Sequence, residues 1–308
     1  MNASLTRPAP VHVPADVHRA AAPRTRRRRK VSVHATYLLP AWLLVGAVVV
    51  VPLALSLWMS MRSETMLRSG RFVGLANFQE VLTGDFWPAL WITLVFSLAA
   101  ILVQVPIGVG LALVLNRDLR GTQLYRSVLL LPMLLTPVAV GLMWRLMLNA
   151  DTGVINGVAG MLGLPGLNWL GDRTIAVISV VIVDAWQNIP FVMLLSLAGL
   201  QSLPDGPLEA AAVDGATRWQ SFWHITLPML TPVLGVVVMI RIIESIKLFD
   251  IIYILTQGGP GTATQNLSLL NYRIGFSFLN TGQAAALGVV ICLVLIPVFW
   301  LQKKVNEQ

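Results

Sequence analysis

Of the 308 residues, 56% are hydrophobic and only 12% are charged, and the mean hydropathy is +0.74. That composition excludes a water-soluble pair of domains, because apolar runs of spanning length recur and a hydrocarbon core needs about 20 apolar residues per helix. The net charge of +8 does not point to nucleic acid: Arg24, Arg26, Arg27, Arg28, Arg29 and Lys30 form one tract beside the first apolar run, where an anionic lipid surface is the fitting partner.

Residues 1–35, rich in Pro, Ala and Arg, cannot bury a core and are expected to form a disordered basic tail in the cytoplasm. Six spanning helices follow, over 37–59, 88–115, 124–148, 174–200, 225–255 and 283–301, making residues 36–302 an all-α, polytopic membrane domain. The first run is longer than the roughly 7 to 15 apolar residues of a signal peptide, so it is read as a retained helix. Lys and Arg in the short loops set the orientation. With the N-terminus inside, Arg117, Arg120, Arg126, Arg218, Lys303 and Lys304 all face the cytoplasm, as do both termini and the 303–308 tail. Loops 60–87 and 149–173 are then outside. The single cysteine, Cys292, lies in the sixth apolar run and allows no internal disulfide.

Helix four carries Asp184, Gln187, Asn188 and Phe191, and Pro190 removes one of its backbone hydrogen bonds. The cytoplasmic segment 201–228 is too long for a simple turn. After Pro207, Leu208 to Val213 predict a short helix with Glu209 in its first turn. Gly215, after Asp214, lets the chain reverse, 216–224 predicts a second short helix, and Pro228 opens the next span. A helix with one acidic residue between small alanines fits a groove on another protein. A solvated connector is the competing reading.

In helix five, Arg241, Glu244, Ser245 and Leu248 share one face at i, i+3, i+4 and i+7. Ionisable groups inside a span cost about 2.5 to 3.5 kcal/mol each, so they face a cavity or a partner. Two readings of Arg241 and Glu244 stand side by side, a substrate-lining stripe and a structural ion pair. Lys247, Asp250 and Asp184 are candidate gate or interface residues. His224 reads as interfacial, and His12, His18 and His34 have no metal-ligand spacing. No catalytic constellation and no metal site is read from the chain, which is therefore not expected to be an enzyme.

Glu209, Ala210 and Ala211, then three residues, Gly215, nine residues, and Ile225, Leu227 and Pro228 resemble, without a gap, the EAA loop of ATP-binding-cassette (ABC) importer permeases. Further matches occur in order along the chain. They comprise Phe72, Val73, Gly74, Leu75, Asn77 and Phe78; Leu115, Asn116, Arg117, Leu119, Arg120 and Gly121; Asn168, Trp169, Leu170 and Gly171; and Phe249, Asp250, Leu255, Thr256, Gly258, Gly259, Pro260, Gly261 and Thr264. Over nearly everything after residue 36, the chain is similar to permease subunits of bacterial binding-protein-dependent sugar importers, the group of the maltose and glycerol-3-phosphate permeases.

The resemblance implies a type I ABC importer permease fold in the bacterial cytoplasmic (inner) membrane. It implies that Glu209, Ala210, Ala211, Asp214, Gly215, Ala216, Ile225, Leu227 and Pro228 couple the chain to a separate ATPase. By ungapped alignment from that loop, Gln187, Asn188, Phe191, Arg241, Glu244, Ser245 and Leu248 fall on the substrate pathway. The implied partners are a second permease subunit in a heterodimer or homodimer, two ATPase subunits, an extracytoplasmic solute-binding protein and membrane lipid. ATP and Mg belong to the ATPase, since this chain has no G-x-x-x-x-G-K-[ST] phosphate loop and binds no cofactor of its own. The implied cargo is a sugar, oligosaccharide, polyol or sugar phosphate. An ion-coupled secondary transporter is the alternative, but it leaves the EAA-like loop unexplained and predicts paired broken helices, which the sequence does not display.

Overall fold

The computed structural model describes residues 33–68, 70–117 and 121–306. The basic tail up to residue 32, and Leu119 and Arg120 of the loop after the second predicted helix, lie outside the described residues. The chain divides into two compact units, Met1–Val51 and Pro52–Gln308. Helix α1 (Val33–Ser60) runs through that boundary, and its Pro40–Ser60 stretch is long and apolar enough to cross a membrane.

The second unit is helical, with two isolated bridges, Arg62 to Phe72 and Thr65 to Arg68, among its described residues. Its helices are α2 (Ala76–Thr83), α3 (Phe86–Leu115), α4 (Thr122–Leu134), α5 (Pro137–Met147) and α6 (Val154–Met161). Then come α7 (Arg173–Gln201), α8 (Gly206–Val213), α9 (Arg218–Ile246), α10 (Asp250–Leu255), α11 (Leu267–Tyr272) and α12 (Thr281–Asn306). Wider π-helical turns interrupt α3 at Ala100–Gln104 and α9 at Phe222–Thr226, and another follows α11 at Arg273–Ser277.

The six predicted spans are not reproduced as six rods. Four helices among the described residues meet the length and apolarity of a span, and α12 adds a shorter apolar stretch, Thr281–Pro297, within a helix that continues to Asn306. The expected third span, 124–148, is two helices, α4 and α5, bent by 94°. The cause is local: Leu135 and Thr136 are extended, Pro137 disfavours a helical residue before it, and the Thr136 side chain caps the new helix at Ala139 N. The carbonyl freed at Leu135 accepts a hydrogen bond from Gln187 Nε2 at 3.1 Å.

The expected fifth span also differs, beginning at Arg218 and ending at Ile246, with α10 a separate piece. At its start, the second short helix predicted over 216–224 merges with the span through the Phe222–Thr226 π turn. At its end, Ser268 Oγ donates to Ile246 O at 2.9 Å and Asn266 Nδ2 donates to Leu248 O. Side chains from the start of α11 thus replace the backbone donors that a continuous helix would have supplied.

Packing joins these pieces through close approach, since lipid tails are as apolar as leucine and helix association in a bilayer relies on contact and hydrogen bonds. At Gly108 on α3, an added Cβ would lie 2.6 Å from Val192 Cγ1 of α7, and at Gly141 on α5 it would lie 2.9 Å from Ile254 Cβ of α10. Buried Ala112, Leu115, Met193, Leu197, Leu200 and Leu230 hold α3, α7 and α9 together. Asn77 of α2 donates to the carbonyls of Ser60 and Arg62, both at 2.8 Å, which pins the 61–75 loop to the bundle.

Candidate functional site

Two regions of the second unit carry unusual chemistry, a polar cavity between spans and an exposed helix at one end of them. The cavity, of about 260 Å³, is lined by Asp184, Gln187 and Asn188 of α7, Arg241 and Glu244 of α9, and Pro137, Lys247, Leu248, Phe249, Asp250 and Ile251. Arg241, one of the lining residues, is 1% exposed. Its Nη2 pairs with Asp184 Oδ2 at 3.1 Å and its Nη1 pairs with Glu244, the i+3 neighbour. Asp184 is nearly buried, and its Oδ2 also accepts from Gln104 Nε2 at 2.6 Å, while its Oδ1 accepts from Asn188 Nδ2 at 2.9 Å. Donors therefore occupy both carboxylate oxygens, and Arg241 is the charged one among them.

Of the residues placed on the substrate pathway by sequence, Gln187, Asn188, Arg241, Glu244 and Leu248 meet at this cavity. Ser245 does not; it is buried against α3, where it donates to Ser97 Oγ at 2.7 Å. Phe191 is half-buried and is not among the lining residues. The gate or interface candidates Asp184, Lys247 and Asp250 all line the same cavity, and Asp184 is its buried anchor. Phe249 adds an aromatic wall, stacked on Tyr253 at 5.2 Å with Tyr272 4.9 Å away.

Gln104 was not singled out by sequence. It is fully buried within the π turn of α3 and 80 residues from Asp184. With Thr93 and Ser97 it forms a buried polar row at i, i+4 and i+11, a helical spacing that was legible within that apolar run. Thr93 Oγ1 accepts from Leu267 N at 3.0 Å, so the row also anchors α11.

The second region begins about 25 Å along α7 from Asp184, at 1.5 Å per residue. There α8 carries Glu209 and Ala210 exposed, Val213 88% exposed, and Ala211 buried. Its C-terminus is closed by two reversed hydrogen bonds, Ala216 N to Ala211 O at 2.9 Å and Gly215 N to Ala212 O at 3.2 Å. This is a Schellman cap with Asp214 as the cap residue and Gly215 at φ +78°, a left-handed position. A capping box between Thr217 and Gln220 starts α9 immediately afterwards. Ile225 and Leu227 are half-buried and Pro228 is exposed, all in the π turn or the beginning of the span rather than on the α8 face. The nine coupling candidates therefore divide between α8 with its turn and the first turns of α9. No group of three or more His, Cys, Asp or Glu able to hold a metal occurs among the described residues.

Comparison with known proteins places these features in a family. The family described as binding-protein-dependent transport system inner membrane component matches residues 104–307. The trehalose/maltose transport system permease protein MalF of Thermococcus litoralis is 38% identical over 247 residues, covering 80% of this chain and 82% of that protein. The sn-glycerol-3-phosphate transport system permease protein UgpA of Agrobacterium fabrum is 33% identical over 253 residues, covering 81% and 85%. In three dimensions, the chain is similar to one in the crystal structure of a bacterial ABC transporter involved in the import of the acidic polysaccharide alginate, with TM-score 0.77, 24% identity and coverage of 89% and 94%. With two thirds of its length matched by the family and several relatives aligned across most of both sequences, the chain belongs to the binding-protein-dependent transport system inner membrane components, the permease subunits of ABC importers.

Proposed function

We propose that this chain forms the membrane pathway of an ATP-driven importer for a carbohydrate handed over by a binding protein. The observation that carries the reading is the pairing of an exposed, capped helix at one end of α7 and α9 with a polar cavity farther along the same two helices. Amides, charged groups and the Phe249 ring suit a hydroxyl-rich solute, whose hydroxyls take hydrogen bonds and whose C–H face packs on an aromatic wall. Relatives named for trehalose, maltose and glycerol-3-phosphate transport support a sugar or polyol cargo. These relatives favour the ATP-driven reading over the ion-coupled alternative.

In this reading, Glu209, Ala210 and the Gly215 turn dock on an ATPase, two copies of which use ATP and Mg, and a second permease subunit completes the pathway as a heterodimer. Both termini and α8 face the cytoplasm, and the cavity opens alternately to the two sides as ATP drives the ATPases together. Binding energy from substrate delivery and from ATP shifts that equilibrium.

The test is ATP-dependent uptake of labelled carbohydrates by vesicles holding this chain, its partner permease, its ATPase and the binding protein, comparing wild type with Gly215→Pro. Proline cannot adopt φ +78°, so the turn is lost. Uptake that disappears while the subunits still assemble supports the coupling assignment. Equal uptake by both proteins overturns it.

A further inference from the structure

The charge arrangement of the cavity narrows the class of cargo. Arg241 is the group an anionic sugar would seek, since a guanidinium binds phosphate or carboxylate through two parallel hydrogen bonds. Here both terminal nitrogens are already engaged, one by Asp184 and one by Glu244, and the residue is 1% exposed. The remaining cation on the lining, Lys247, lies between Glu244 and Asp250 in sequence, so the ionisable lining residues number three carboxylates and two cations. The two buried atoms of the cluster without a protein partner are Gln104 Oε1 and Arg241 Nε. One is an acceptor and the other a donor. A hydroxyl group can satisfy either, as donor to the one and acceptor from the other.

We propose that Asp184, assisted by Glu244, is a specificity-determining residue: by occupying Arg241 it makes the cavity select uncharged sugars or polyols over phosphorylated or carboxylated ones. This rests on the carbohydrate-pathway reading and sharpens it. A purely structural ion pair would hold α7 to α9 without affecting which solute binds. The selectivity role differs because it fixes the sign of the potential met by the solute, a property that shifts when one carboxylate is neutralised without loss of shape.

The experiment uses the assembled importer complex in nanodiscs, without the binding protein, so that discrimination reflects the membrane pathway alone. Equilibrium binding of trehalose and of trehalose 6-phosphate, which differ by one phosphate, is compared for wild type, Asp184→Asn and Glu244→Gln. Wild type is expected to prefer trehalose, and each variant to move the ratio about tenfold toward the phosphorylated sugar, the scale of one unit charge in a partly hydrated site. Because Glu244 is 48% exposed at its side chain, Glu244→Gln keeps the test decisive if Asp184→Asn fails to assemble. A wild-type preference for the phosphate, or ratios unchanged in well-assembled variants, overturns the selectivity role while leaving the carbohydrate pathway standing. An assembled complex that binds neither these two sugars nor any other member of a labelled sugar and polyol panel overturns the pathway reading and the selectivity role with it.

Discussion

Arg241 shows how differently two ion pairs on one side chain are valued. Asp184 is buried with it, so Asp184→Ala leaves a guanidinium without its buried counter-charge and is expected to cost about 3 to 5 kcal/mol. Glu244 is half-exposed, and Glu244→Gln is expected to cost less than about 1 kcal/mol. Thermal unfolding of the purified protein in detergent checks both, and equal effects would show that the Asp184 contact does not carry the pair. Gly215 poses a different demand. Nothing lies within 4 Å of a Cβ built there, so the obstacle to Gly215→Ala is its φ of +78° alone. The expected cost is about 1 to 2 kcal/mol, and less for Gly215→Asn, because asparagine tolerates the left-handed region. Hydrogen exchange across 206–217 should rise more for the alanine variant. The Arg241–Glu244 pair was legible because i, i+3 residues on a helix are neighbours. Its link to Asp184, 57 residues away, was not, since no local period connects two helices.

Helices meet here through glycine, and two substitutions two residues apart separate packing from propensity. Gly108→Ala would push a methyl to 2.6 Å from Val192 Cγ1 and 3.0 Å from Met193 N, so α3 and α7 must part, at a cost of about 1 to 3 kcal/mol. Gly110→Ala meets nothing within 4 Å and should be neutral or stabilising by up to about 1 kcal/mol, through lower backbone entropy in the unfolded chain. Melting temperatures that fall equally for both would refute the close approach of α3 and α7. Long elements such as α7 were legible because a predominantly apolar run of that length has few alternatives. Interruptions were harder to read. Thr136 and Pro137 gave a local warning of the break in the third span, but Gln187, which satisfies the freed Leu135 carbonyl, lies 52 residues on. The end of α9 is likewise decided by Asn266 and Ser268, far beyond the window in which a helix end is sought.

For the whole molecule, orientation is the property on which the import direction depends. With Cys292 replaced by serine, single cysteines at Val213, 88% exposed, and at Met161, 89% exposed, test it. A membrane-impermeant maleimide is expected to label Met161→Cys in intact cells and Val213→Cys only after the membrane is opened. The reverse pattern would invert the orientation derived from the loop arginines and detach α8 from any cytoplasmic ATPase. The 94° bend between α4 and α5 bears on how such a molecule moves. A straight rod passes on a push along its own axis, whereas an elbow near a right angle turns a push along one arm into a sideways swing of the other. Because Gln187 of α7 holds the carbonyl at the bend, the elbow has a pivot. In mechanical terms, α4 and α5 have the shape of a bell crank mounted on α7: a shift of α7 would displace its hinge, and the two arms would respond in nearly perpendicular directions.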